Sequence, residues 1–242
     1  MREREQLLDT GKILKKRNRL KRLIVSDTHI GSRFCRKREL INLLREKEYD
    51  QLILNGDIIE FLKIPTFTPL VIDLFASIDF NKEVIYVVGN HDISLSGLIG
   101  QSFKNIKFVK EYCFEEGGRK FRIEHGDKYQ KGIVHRRSIM KFVSFFQDMI
   151  EKALNINLSA WYTKLKFNKR KIKRLWDIMD ENRDVDVLVV GHTHVPEVII
   201  WINSEEEIKT YVNTGDWVTH STYVEIDDGV IRLRNFLKKI NF

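Results

Sequence analysis

The chain holds only two cysteines and three prolines in 242 residues. Cys35 and Cys113 are too few and too far apart for a disulfide framework, and neither belongs to a Cys-x-x-Cys pair. Both are expected to be free thiols that fill space in a reducing cytosol. With so few prolines and 13 glycines, the chain has no long linker, and it shows neither low-complexity stretch nor internal repeat. No run approaches the ~18 consecutive apolar residues that a membrane span needs. Residues 1–22 are rich in Arg and Lys, but Glu3, Glu5 and Asp9 interrupt them and no continuous apolar stretch is present, which argues against a secretory signal. A cytoplasmic location is expected, with peripheral contact at the inner face of the membrane left open.

At 43% apolar residues the chain can build a full core, and its length suits one domain with a sizeable insertion. Lys and Arg number 42 against 34 Asp and Glu, a net charge of +8 that favours an anionic substrate or surface. The expected organisation is a basic extension over 1–22 and a domain over 23–242, interrupted by a helical insertion at about 128–184.

Short unbroken apolar runs at Leu23-Ile24-Val25, Leu52-Ile53-Leu54, Val84-Ile85-Tyr86-Val87-Val88 and Val187-Leu188-Val189-Val190 read as strands buried on both faces. Residues 36–47 carry Leu40, Ile41, Leu43 and Leu44 among charges, which predicts an amphipathic helix, and 69–78 reads as a second one. Strands alternating with helices indicate an α/β layered fold, in which sites gather beyond the carboxyl ends of the strands. Residues 121–124 alternate as a half-buried strand. Strand-like runs at 198–202, 210–213, 222–226 and 230–236 predict a second sheet at the C-terminal end.

Five strings of metal-binding residue types occur in order: Asp27-Thr28-His29, Gly56-Asp57, Gly89-Asn90-His91-Asp92, His125-Gly126-Asp127 and Gly191-His192-Thr193-His194. Five of the seven histidines fall inside them, and only His135 and His220 lie outside. Most of the strings follow a predicted strand directly. One such string alone would be an ordinary polar loop, but five at strand ends let carboxylates and imidazoles converge at one edge of a rigid sheet.

That set suits phosphate ester hydrolysis. The phosphorus is shielded by negative oxygens and water is a poor nucleophile. Two cations about 3.5–4 Å apart answer both difficulties by activating water and neutralising the phosphoryl oxygens. Such a pair needs a bridging carboxylate, for which Asp57 is the candidate. Asp27 and His29, two apart on an extended strand end, are expected to share a face and grip one ion. His192 and His194 have the same spacing, but a turn there can send the two rings to different metals. Asn90 offers a carbonyl oxygen and His125 another imidazole. With no thiolate in the set, mixed N and O ligation suits Mn first, with Fe, Co or Zn as alternatives. His91, beside Asn90, is placed to stabilise phosphoryl charge or protonate the leaving oxygen. Asp92 either orients the His91 ring or caps the following turn. The glycines of the strings are read as geometric, permitting tight turns and close backbone approach.

In this order the strings resemble the calcineurin-like metallophosphoesterase superfamily, whose pattern is Asp-x-His, Gly-Asp, Gly-Asn-His-Asp or Glu, a later His, and Gly-His-x-His. The resemblance implies two packed β-sheets flanked by helices and a binuclear metal centre. It assigns Asp27, His29, Asp57 and His194 to one metal, and Asp57, Asn90, His125 and His192 to the other. Chain length, His125-Gly126-Asp127, the insertion and Asn213-Thr214-Gly215-Asp216-Trp217 look like the UDP-2,3-diacylglucosamine pyrophosphohydrolase branch. That branch usually carries Arg where this chain has His91. The alternatives are a nuclease or nucleotide phosphodiesterase of the same superfamily, and a non-catalytic metal-binding scaffold. Degenerate members tend to lose the catalytic histidine, which is present here.

No acidic residue occurs over 152–176, while Lys164, Lys166, Lys169, Arg170, Lys171, Lys173 and Arg174 crowd that stretch beside Trp161, Tyr162, Phe167 and Trp176. The preceding helical stretch repeats Ile139, Phe142, Val143, Phe146, Met149 and Ile150 as a core stripe, and Met140 and Phe145 widen its apolar face. Together these suit an amphipathic lid over an anionic lipid substrate. Single-stranded nucleic acid and plain packing with solvated lysines remain as the other two readings. His135 with Arg136 and Arg137 is a candidate contact for a second phosphate, or a solvated helix end.

Overall fold

The computed structural model describes residues 20–61, 69–129, 137–154 and 170–237. Three of the apolar runs lie side by side as parallel strands: β1 (Arg22–Val25), β2 (Gln51–Asn55) and β3 (Glu83–Val87), with Leu23 beside Leu52 and Leu52 beside Val84. Successive strand side chains point to opposite faces, so an unbroken apolar run must feed two cores. Leu23, Val25, Leu52, Leu54, Val84 and Tyr86 pack beneath α1 (Lys37–Glu46) and α2 (Pro69–Ala76), meeting Leu40, Leu43, Leu44, Val71 and Leu74. Ile24, Ile53, Ile85 and Val87 face the other way, onto a second sheet.

β4 (Ser102–Phe103), β5 (Ile106–Val109), β11 (Thr222–Asp227) and β12 (Val230–Asn235) complete the first sheet, in the order β12-β11-β1-β2-β3-β5-β4. The second sheet contains β6 (Glu111–Glu116), β7 (Arg119–Glu124), β8 (Val187–Val190), β9 (Glu197–Ile202) and β10 (Ile208–Asn213), in the order β6-β7-β8-β10-β9. Phe121, Ile123, Val187, Val189 and Val212 of this sheet close the inter-sheet core, each contributing about 1.5–3 kcal/mol by burial. On its outer face Leu188, Val190 and Tyr211 meet Leu175, Ile178 and Met179 of the helix Arg170–Asp180. Two mixed sheets flanked by helices are the expected α/β sandwich.

The expected C-terminal sheet is corrected. Its four strands divide, β9 and β10 joining the second sheet and β11 and β12 the first. The apolar β1 needs a partner on both sides, and β11 supplies one by antiparallel pairing, Leu23 opposite Glu225. β4, β5 and β6 carry too little apolar pattern to be read beforehand.

The insertion supplies α3 (Arg137–Leu154) and α4 (Arg170–Asp180). The core stripe expected on α3 is not buried: Val143, Phe146, Met149 and Ile150 are 46%, 41%, 49% and 39% exposed, and Phe145 is 66% exposed. The side chain of Glu151 is buried instead. The side chains of Ile139, Met140 and Phe142, residues 1–19, His135 and Arg136, and the basic aromatic stretch 155–169 lie outside the described residues, as do the side chains of Arg137 and 170–174. Cys35 and Cys113 are free thiols, and burial pushes the Cys35 thiol up to about 12. Among the described residues no helix is long and apolar enough to cross a membrane.

Candidate metal centre

All five strings sit just past the carboxyl ends of β1, β2, β3, β7 and β8. Their backbone is unusual. Among the described residues nine non-glycine positions have positive φ, and five of them are Asp27, His29, Asp57, His192 and His194. This left-handed region costs a non-glycine residue energy and persists only where surroundings over-determine it. It also corrects the expectation for Asp27 and His29. They do not share a face of an extended strand; a left-handed turn with φ of 48° and 45° brings them together.

Asp27, His29 and His194 form one group whose donor atoms lie within 4.8 Å of one another, and Asp57, His125 and His192 form a second. The two rings of the His-x-His string thus go to different groups. Asp57 also groups with His29 and His91, so its carboxylate lies between the two halves. Asp57 Oδ2 is 3.1 Å from His125 Nε2 and 3.9 Å from His91 Nε2, while Oδ1 accepts the His91 backbone N–H at 2.8 Å. Asn90 Oδ1 lies 3.2 Å from His125 Nε2, which places Asn90 at the second group. Asp27 accepts the His192 N–H at 3.0 and 3.1 Å, tying the first string to the last.

Fixed acceptors set which ring nitrogen faces inward. His29 Nδ1 lies 3.0 Å from Glu60 Oε2, His194 Nδ1 3.1 Å from Asp216 Oδ2, and His125 Nδ1 3.1 Å from the Asn55 carbonyl. With Nδ1–H donated outward, each Nε2 presents a lone pair to the centre. His29 Nε2 and His194 Nε2 then face each other at 3.4 Å with Asp27 Oδ1 3.4 Å from the latter. Two imidazole nitrogens this close, beside a buried carboxylate, fit a divalent cation. The N and O donor set without sulfur agrees with that.

Electrostatics follow the same plan. Burial alone pushes the Asp57 carboxyl up, but His125, His91 and His29 outweigh it and hold it well below the usual carboxylate range. Burial pushes His125 down, but Asp57 outweighs it and raises the ring to about 10 in the metal-free centre; His194 is raised against burial by Asp27 and Asp216. His192 is pushed down to about 3 by burial and by the charge of His125, so it is neutral and ready to ligate. A ring must lose its proton to bind metal. Cation binding near pH 6 is therefore expected to release on the order of one to two protons, from His125 and His194, and affinity is expected to rise with pH. Calorimetry in buffers of different ionisation enthalpy reads the number directly; a release near zero contradicts their ligand role.

Two residues of the strings do something else. Asp92, expected to orient His91 or cap the next turn, instead accepts the backbone N–H groups of Ile58 and Ile59 at 3.1 and 2.9 Å, fixing the chain just after Asp57. The turn at Ile93–Leu98 has no side-chain cap from it. The carboxylate that faces the His91 ring is Glu60, whose Oε1 is 2.8 Å from His91 Nδ1. Glu60 thus holds both His29 and His91. Burial pushes its carboxyl up, yet the two imidazoles keep it well below the usual range. Asp127 pairs with Lys110 at 3.1 Å. Glu60 was not read from the sequence, although its place three residues after Asp57 is a usable signal. Asp216 lies in the 213–217 string, to which the sequence assigns no chemical role, and His220, outside the five strings, lies 3.3 Å from it.

The glycines are packed for these ligands. A Cβ on Gly56, at φ +78°, would strike the His125 ring, and one on Gly191 would strike Asp27. Gly56→Ala is expected to lower stability by about 1–3 kcal/mol and to cut metal uptake, read by thermal melting and elemental analysis.

A family model for the calcineurin-like phosphoesterases matches residues 20–196, well over half of the chain. The chain belongs to that family. With its His and Asp clusters, this calcineurin-like phosphoesterase is a metal-dependent hydrolase with a binuclear metal-binding architecture. No curated protein matches it. Among solved structures it is similar to a conserved uncharacterized protein from Streptococcus pneumoniae TIGR4 described as a predicted phosphoesterase, at 15% identity and TM-score 0.39, covering 90% of this chain and 98% of that one. Vacuolar protein sorting 29 from Cryptosporidium parvum gives 15% identity and TM-score 0.46, covering 90% and 96%. An archaeal phosphodiesterase gives 18% identity and TM-score 0.46, covering 89% and 99%.

Proposed function

We propose that this phosphoesterase cleaves the pyrophosphate bond of a lipid-linked nucleotide such as UDP-2,3-diacylglucosamine, working in the cytoplasm at the inner face of the membrane. The observation that carries the lipid reading is α3: an 18-residue helix whose Val143, Phe145, Phe146, Met149, Ile150 and Leu154 are all exposed. Arg33, four residues after His29, donates to the Glu151 carbonyl at 3.2 Å, which anchors this apolar helix beside the loop of the first string. An apolar surface next to a charged centre suits a substrate with acyl chains at one end and phosphates at the other. The basic run over 164–174 favours an anionic partner and supports the same reading.

Two divalent cations, Mn by preference, would be held by Asp27, His29, Asp57 and His194 and by Asp57, Asn90, His125 and His192. When bound, such cations would supply water activation and neutralisation of phosphoryl oxygens. The protein's own part is positional. Asp57 stands between the two sets and fixes their separation. His91, partly open to solvent at 18% side-chain exposure, has Nδ1 held by Glu60 and Nε2 3.9 Å from Asp57 Oδ2, so it would donate a hydrogen bond or proton to the leaving oxygen of a phosphate bound at the centre. The position of His91, where the UDP-2,3-diacylglucosamine pyrophosphohydrolase branch usually carries Arg, makes substrate identity the point to test. Release of UMP from UDP-2,3-diacylglucosamine, with Mn, Zn or Mg, is the expected result. Activity confined to mononucleotides or DNA would move the assignment to the nucleotide phosphodiesterase or nuclease reading.

A further inference from the structure

The string Asn213-Thr214-Gly215-Asp216-Trp217 lies beyond the residues matched by the family model, on the connection that carries the chain from β10 in the second sheet to β11 in the first. Its hydrogen bonds run to the loops that hold Asp27 and His194. Asn213 Nδ2 donates to the Gly191 carbonyl at 2.7 Å and to Thr193 Oγ1 at 2.9 Å, on either side of His192. The Thr214 hydroxyl meets Ser26 Oγ, which donates to Asp27 Oδ2. The Trp217 backbone N–H donates to the Asp27 carbonyl at 3.1 Å. Asp216, 2% exposed, accepts from His194 Nδ1 through Oδ2 at 3.1 Å, while Oδ1 accepts the Thr219 and His220 backbone N–H groups at 2.8 Å each. Asp57 and His125 are held elsewhere, by the His91 N–H and the Asn55 carbonyl.

We propose that Thr214, Asp216 and Trp217 clamp one of the two metal positions, the one formed by Asp27, His29 and His194, with Asp216 as the positioning residue for His194, while Asn213 holds the turn of His192. The mechanism is tautomer control. An ionised carboxylate only accepts, and Asp216 Oδ1 is held by two backbone N–H groups, so Oδ2 faces His194 as an acceptor and favours Nδ1–H toward it with an Nε2 lone pair to the centre. Asp216→Asn keeps the shape. Its amide oxygen still accepts the Thr219 and His220 N–H groups, which leaves its NH2 facing His194 Nδ1. That arrangement favours the opposite tautomer, with Nε2 protonated and unable to ligate. The inference rests on the two-metal reading of the site.

The test is a titration of the metal-free full chain with Co2+ alone, followed by calorimetry and by the visible absorption of the bound ion. The unchanged protein is expected to take up two ions. In Asp216→Asn one ion should bind as before and the other about 10–100-fold more weakly, with a changed absorption band for that position only and a metal-free protein that still melts cooperatively. Should that variant fold poorly, Thr214→Val, which removes only the hydroxyl that meets Ser26, is expected to weaken the same position. Equal weakening of both positions, or none in a folded variant, overturns the clamp. An unchanged protein that binds fewer than two ions overturns the two-metal reading itself, a separate result.

Discussion

Asp57→Asn is expected to lower turnover of a chromogenic phosphodiester by on the order of 10³-fold or more, equivalent to about 4 kcal/mol of lost transition-state stabilisation. Asp57 belongs to two of the three donor groups, so its loss affects both halves of the centre. The substitution keeps volume and one oxygen, and that oxygen can still accept the His91 N–H. It removes the negative charge that balances His125 and His91 at a buried position, where a missing charge is felt most. Elemental analysis should show fewer than two ions per chain. Retained metal-stimulated activity in Asp57→Asn would sink the bridging role.

The second large effect is expected at His91. His91→Asn should reduce kcat by about 10²–10⁴-fold while leaving two bound cations and a nearly unchanged KM. Burial pushes His91 down, but Asp57 and Glu60 outweigh it and raise the ring to about 9 in the metal-free centre. A ring with a raised value is protonated at neutral pH and loses its proton as pH rises. Cations bound alongside lower that value, so kcat should fall on an alkaline limb below pH about 9, and His91→Asn should lack that limb. The loss should be greatest for poor leaving groups, which need a proton most. A variant that loses metal along with activity would instead make His91 a ligand, as its grouping with His29 and Asp57 permits.

Legibility in the sequence follows the physics of each feature. β1, β2, β3 and β8 were readable because strands buried on both faces must be apolar without interruption. α1 was readable from its single stripe of Leu40, Leu43 and Leu44. α3 shows the limit of periodicity. A stripe at helical spacing tells which residues share a face, not whether the face is covered, and Val143, Phe146 and Met149 lie open. Asp92 and Glu60 show another limit. Adjacency along the chain pointed to Asp92 as the partner of His91, but the turn after Asp57 carries Glu60 onto both imidazoles and leaves Asp92 to hold backbone amides.

The sequence by itself determined the family, the layered α/β class and the supply of donors, because residue types and strand-end positions are written locally. Only the tertiary structure decided how those donors divide. Left-handed turns at Asp27, His29, Asp57, His192 and His194 aim each side chain, and acceptors drawn from distant elements choose which imidazole nitrogen faces inward. Both depend on contacts between segments far apart along the chain, so neither is carried by any one string.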